Sequence, residues 1–138
     1  MRKFLTVLFI LTTLSLLFGC AGTSTVNASL GKEFTLAIGK TANISGENLS
    51  IKFVDVTADS RCPSDVQCVW AGEVKVLLGI TVNGSYQQVE MTQPGLVDAR
   101  DGQPVGAYTY HFSVEPYPIS TKQIGKEDYR LKMTVSKS

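Results

Sequence analysis

The stretch VKVLLGITVNGSYQQVEM, residues 74–91, decides the fold. Val74, Val76, Leu78, Ile80 and Val82 alternate with Lys75, Leu77, Gly79 and Thr81, the period-two pattern of a strand with one buried face. Asn83-Gly84 follows at once, and this pair favours a type I′ turn because both residues tolerate positive φ. With Val82 set opposite Ser85, Ile80 faces Gln87, Leu78 faces Val89 and Val76 faces Met91. A slip of one residue would send every side chain to the wrong face, so the pairing fixes its own register.

The same alternation recurs on both sides of this hairpin. Phe34, Leu36 and Ile38 alternate with Thr35 and Ala37, and Ala42 and Ile44 form a short second run. Leu49, Ile51, Phe53 and Asp55 share one face, with Val54 and Val56 on the other, so that strand is expected to be buried on both sides near its end. Tyr108, Tyr110, Phe112 and Val114 make a further strand, and Tyr129, Leu131, Met133 and Val135 the last. No segment after residue 20 carries a 3.6-residue period. About seven such strands predict an all-β chain: an antiparallel two-sheet sandwich, immunoglobulin-like, with a small open barrel as the alternative. Pro104, Pro116 and Pro118 are expected in connections, since proline cannot donate to a ladder. The long connections 93–106 and 115–128 are where recognition would sit on such a scaffold.

The N-terminus belongs to a different class of sequence. Arg2 and Lys3 precede an apolar run from Phe4 to Phe18, which is short for a spanning helix and has the layout of a signal peptide. It ends Leu17-Phe18-Gly19-Cys20, which resembles the lipobox of prokaryotic lipoproteins. That resemblance implies cleavage before Cys20 and a diacylglycerol on its sulfur. Two acyl chains hold stably where one does not. The expected organisation is a signal peptide at 1–19, a lipidated Cys20 with a flexible tether to residue 32, and a sandwich at 33–138. The protein would then be extracytoplasmic, held at a membrane of the cell envelope, with the bilayer its first partner.

The remaining two cysteines lie in DSRCPSDVQCVWAGE, residues 59–73. Cys62 and Cys68 are too far apart for a Cys-x-x-Cys redox site, and zinc would want ligands the chain does not offer. A structural disulfide fits, and closing a loop of this length contributes about 2 to 2.5 kcal/mol. It also suits an oxidising compartment. Pro63 fixes φ inside the loop and Gly72 permits a bend before the next strand. In an extended segment Trp70 shares a face with Cys68, so it is expected to plug the core beside the disulfide. An exposed aromatic platform is the alternative. On the plug reading, removing Trp70 should destabilise more than removing the disulfide. Arg61 is expected to pair locally with Asp59 or Asp65, worth at most about 1 kcal/mol if exposed.

Asp59-Ser60-Arg61-Cys62-Pro63 and Cys68-Val69-Trp70-Ala71-Gly72-Glu73 resemble a motif of a family of small secreted or lipid-anchored prokaryotic proteins. Pro116-Tyr117-Pro118 and Asp128-Tyr129 reinforce the likeness, which covers most of residues 33–136. The resemblance implies the domain and carries over no catalytic residue.

Composition narrows the function classes. The formal charge is +1, and Arg2 and Lys3 leave with the signal peptide, so no basic patch invites nucleic acid. His111 alternates out of the apolar face of its strand, away from a nucleophile. Asp98 and Asp101 lie in a Gly/Pro-rich loop, where carboxylates form turns, and no calcium-loop spacing surrounds them. No cofactor or metal is expected, and no catalysis. All four asparagines, Asn27, Asn43, Asn48 and Asn83, are followed two residues later by serine, the acceptor pattern for N-glycosylation. The expected function is a non-catalytic, membrane-tethered binding module for an envelope or secreted protein or a glycan. An inhibitor of a secreted protease, acting through a constrained loop, is the second reading.

Overall fold

Alternating apolar residues bounded by Gly, Asn and Pro turns become strands wherever the pattern predicts them. The structure, a computed structural model, describes residues 24–95 and 102–138. Its strands are β1 (Thr25–Ala28), β2 (Phe34–Ala37), β3 (Thr41–Ile44), β4 (Leu49–Asp59), β5 (Glu73–Val82), β6 (Ser85–Pro94), β7 (Gln103–Val105), β8 (Tyr108–Glu115) and β9 (Arg130–Lys137). They form a five-stranded sheet in the order β1-β3-β4-β5-β6 and a four-stranded sheet in the order β2-β9-β8-β7. All pairings are antiparallel except β1 with β3.

The deciding hairpin has the expected register, Val82 opposite Ser85 and onward to Val76 opposite Met91. Asn83 and Gly84 both take positive φ, 50° and 81°, as a type I′ turn requires. Val76, Leu78 and Ile80 of β5 and Ile51 and Phe53 of β4 join Leu36, Tyr110, Leu131, Met133 and Val135 in one buried core. Burying each such side chain contributes about 1.5 to 3 kcal/mol, which holds the two sheets together.

Nine strands stand among the described residues where about seven were expected, and each addition has a physical reason. β1 falls inside the expected tether. Thr25 and Asn27, both exposed, alternate with Val26 and with Ala28, buried in the core, but four residues are too few for the alternation to stand out in a Ser/Thr-rich stretch. The Gly31 amide also donates to Val135, so residues 25–31, expected in the tether, are part of the sandwich. β7 contains Pro104, expected in a connection. It is the edge of its sheet, and an edge strand tolerates a residue with no N–H.

In β4 the pairing shifts between Phe53 and Asp55 and again between Val56 and Ala58. These bulges explain the apolar phase slip in the sequence. Val56 turns into the core, while Asp55, expected on the inner face, accepts the Val56 amide at 2.9 Å and the Lys126 ammonium at 2.6 Å.

One core group is unsatisfied. The Tyr110 hydroxyl is fully buried and has no hydrogen-bond partner among the described residues. Burial pushes its pKa up to about 12, with the neighbouring Tyr108 a smaller cause. A buried hydroxyl without a partner costs about 1 to 3 kcal/mol. Tyr110→Phe should therefore raise the melting temperature, an outcome a calorimetric scan would read directly.

Candidate functional site

The chain between β4 and β5 forms the candidate site, a disulfide-closed loop at one end of the sandwich. Its two arms prolong the β4–β5 ladder: Ser60 N–H donates to Glu73 at 2.8 Å, and Cys62 N–H to Ala71 at 2.9 Å. Gly72 makes this possible. It has a φ of 70°, and a side chain there would meet the Ser60 carbonyl oxygen at 1.8 Å. The Gly95 amide clamps the same turn by donating to the Gly72 carbonyl at 2.8 Å. Cys62 and Cys68 are bonded, with Cα atoms 5.9 Å apart.

Arg61 holds this loop to the opposite sheet. It pairs with Asp59, one of the two partners expected, but it is only 4% exposed, so the limit that holds for an exposed pair does not apply. Its Nε and Nη2 donate to the two Asp59 carboxylate oxygens at 2.8 and 2.6 Å. Nη1 donates to the Val114 carbonyl at 2.7 Å and Nη2 to that of Pro116 at 3.1 Å, at the end of β8. The guanidinium carbon lies 5.1 Å from the centre of the Tyr117 ring, within cation–π range. Tyr129 completes the network by donating its hydroxyl to Asp59 at 3.0 Å.

Burial opposes ionisation of Asp59, but the hydrogen bonds and charge of Arg61, aided by Tyr129, outweigh it and hold the carboxyl below its ordinary value. A carboxyl with a lowered folded pKa adds stability that is present above its unfolded pKa of about 4 and lost as pH falls through the folded value. Hydrogen bonds from Ser120 lower Asp65, and Lys137 and Tyr108 lower Glu47, adding contributions of the same sign. Melts should therefore lose stability below about pH 4. Asp59→Asn should flatten that limb while lowering the melt at neutral pH.

Trp70 does not plug the core. It is 82% exposed, and Val69 beside it is 90% exposed. The expectation extrapolated an extended strand through Cys68. Here the backbone bends at Val69 and Trp70, and the disulfide straddles the surface, with Cys62 buried and Cys68 exposed. Two residues beyond an exposed Cys68, the indole has nothing above it. The residue that closes the end of the sandwich is Arg61.

Val66 and, from the connection between β8 and β9, Ile119 extend the exposed apolar tip. Ser64 N–H donates to Pro118 at 3.0 Å, and Asp65 accepts both the Ser120 amide and hydroxyl, at 2.8 and 2.6 Å. The two loops are thereby fastened into one surface. Pro63 is half-buried where the disulfide loop starts, and Glu73 opens β5, 3.4 Å from Lys75.

The other expected site residues lie elsewhere. Asn27, Asn43, Asn48 and Asn83 are all exposed, at the end of the five-stranded sheet away from the disulfide loop. His111 sits on the outer face of the four-stranded sheet, opposite Thr134. Cys20, Asp98 and Asp101 lie outside the described residues. Among those residues, no three His, Cys, Asp or Glu side chains come together as a metal set, and no helix is long and apolar enough to cross a membrane. No family model matches the chain, and neither any curated protein nor any solved structure is significantly similar to it.

Proposed function

We propose that this protein is a membrane-tethered, extracytoplasmic binding module that works without catalysis. On this reading the Cys62–Cys68 loop is its recognition element, presented to an envelope or secreted protein. The supporting observation is the exposed Val69–Trp70 pair at the tip of a loop that is braced by a disulfide and tied down by a buried arginine. Large apolar side chains held in solvent mark interaction surfaces, and tryptophan is among the commonest binding hot spots. A loop ordered before it binds loses less entropy on docking. The lipobox ending in Cys20 supports the tether.

The same braced, exposed loop favours a second reading, insertion into the cleft of a secreted protease. Nanomolar inhibition of such an enzyme, lost on changing Val69 or Trp70, would establish it. The primary reading is tested by cross-linking and pull-down from native membranes. A specific partner should be captured by the wild type and not by Trp70→Ser. Cys20→Ala should abolish detergent partitioning, and partitioning that is unchanged would remove the tether from the account. Turnover of a substrate, lost on a point mutation, would overturn the non-catalytic reading.

A further inference from the structure

The four asparagines are not absorbed by the disulfide loop, and three of them line a cleft at the other end of the molecule. We propose that this cleft, with the adjoining outer face of the five-stranded sheet, is a saccharide-binding site. The cleft measures about 470 Å³ and is lined by Asn43, Asn48 and Asn83 together with Ser50, Thr81 and Glu47. That volume lies within the range of small-molecule sites.

The strand register builds it. Asn27 pairs with Asn43, Asn43 with Ser50, and Ser50 with Thr81, so one row of amides and hydroxyls crosses four strands on the outward side. The Asn83 amide N–H donates to the Asn48 carbonyl at 2.8 Å, locking the hairpin tip against the β3–β4 turn.

The chemistry of the lining selects a neutral, polyhydroxylated ligand. Each asparagine offers a carbonyl acceptor and two N–H donors, which suits hydroxyl groups that both donate and accept. The asparagine side chains make no hydrogen bond among the described residues, so this capacity is directed at solvent. No lysine or arginine lines the cleft to receive an anion. Its one carboxylate, Glu47, is already neutralised, accepting from Tyr108 at 2.8 Å and pairing with Lys137 at 2.7 Å.

An aromatic surface flanks the polar row. Tyr86 is the register partner of Thr81 and is 57% exposed. Its ring lies across Gly79, where a built Cβ would meet ring carbons and the hydroxyl at about 2.8 Å. Any side chain at residue 79 would displace it. The Gln88 amide donates to the phenol oxygen at 3.1 Å and pins the far end of the ring. A sugar has apolar C–H faces and a polar hydroxyl rim. A ring laid on a sheet beside a row of amides and hydroxyls matches both.

The test is affinity electrophoresis of the full chain through gels containing soluble β-glucan, glycol chitin, mannan or peptidoglycan fragments. At least one should retard the wild type. Tyr86→Ala should reduce that retardation at least tenfold in apparent affinity, and Asn43→Ala should do so independently, with unchanged melts in both. Trp70→Ala should migrate like the wild type, separating this site from the disulfide loop. Absence of retardation in every gel, or equal retardation of Tyr86→Ala, overturns the proposal. So does a covalent glycan on Asn43, Asn48 or Asn83, read as added mass on the chain from its native envelope, because that modification would fill the cleft itself.

Discussion

Arg61→Ala should lower stability by about 3 to 5 kcal/mol, the usual cost of removing one partner from a buried ion pair. The substitution strands Asp59, whose side chain is only 11% exposed, with Tyr129 as its remaining hydroxyl donor. It also removes the donors to the Val114 and Pro116 carbonyls, one of them in a buried bond. Against a typical total of about 5 to 15 kcal/mol, this is a large share. The melt should fall by more than about 10 °C. Arg61→Lys should recover less than half of the loss. A single ammonium cannot reproduce two bonds to one carboxylate and two more to carbonyls on the opposite sheet. Reducing the disulfide should cost less, about 2 to 2.5 kcal/mol by loop entropy. The order Arg61, then disulfide, then Trp70 reverses the ranking expected from the sequence. A chemical-denaturation series on the three variants decides it, and an Arg61→Ala midpoint equal to the wild type would remove Arg61 as the anchor.

Trp70→Ala should give the opposite profile: stability within about 0.5 kcal/mol of wild type, as for an exposed position, with capture of the partner lost. A hot-spot tryptophan contributes about 2 kcal/mol or more to binding, equivalent to roughly 30-fold in affinity. Val69→Ser should behave in the same way with a smaller loss. Val69 is the more exposed of the two but presents less surface. Denaturation midpoints and quantitative pull-down read the two effects separately. A strongly destabilised Trp70→Ala, or one that captures partner normally, would contradict the assignment of the loop.

The sandwich was legible because strand and turn signals are local. Val74–Val82 alternates without a break, and Asn83-Gly84 supplies the one turn whose twist suits the strands it joins. The slip of apolar phase from Phe53 to Val56 was visible too, but its cause is a bulge and not burial on both sides: Val54 and Asp55 are half-buried, and Thr57 and Ala58 are exposed. β1 was hidden because four residues give alternation little room and it pairs in parallel with β3 beyond an intervening strand, and β7 because it has three residues, one of them a proline, although it pairs with the adjacent β8.

The anchoring of the loop was hidden for another reason. The Arg61 guanidinium reaches backbone carbonyls 53 and 55 residues away, and a carbonyl leaves no trace in a sequence. Trp70 was misplaced by carrying strand alternation through a disulfide loop. The available signal was its neighbour: Val69 and Trp70 are both large and apolar, and adjacent residues of an extended segment cannot both face the core.

The central claim is that Arg61 closes the sandwich and Trp70 stands outside it. Trp70 is the sole tryptophan, so fluorescence excited at the red edge, where the tyrosines do not absorb, reports on it alone. The account predicts an emission maximum close to that of a solvated indole, little changed on unfolding, with acrylamide quenching the native protein nearly as well as the denatured one. Blue-shifted native emission that moves to the red on unfolding, with weak native quenching, would place the indole in the core and contradict it.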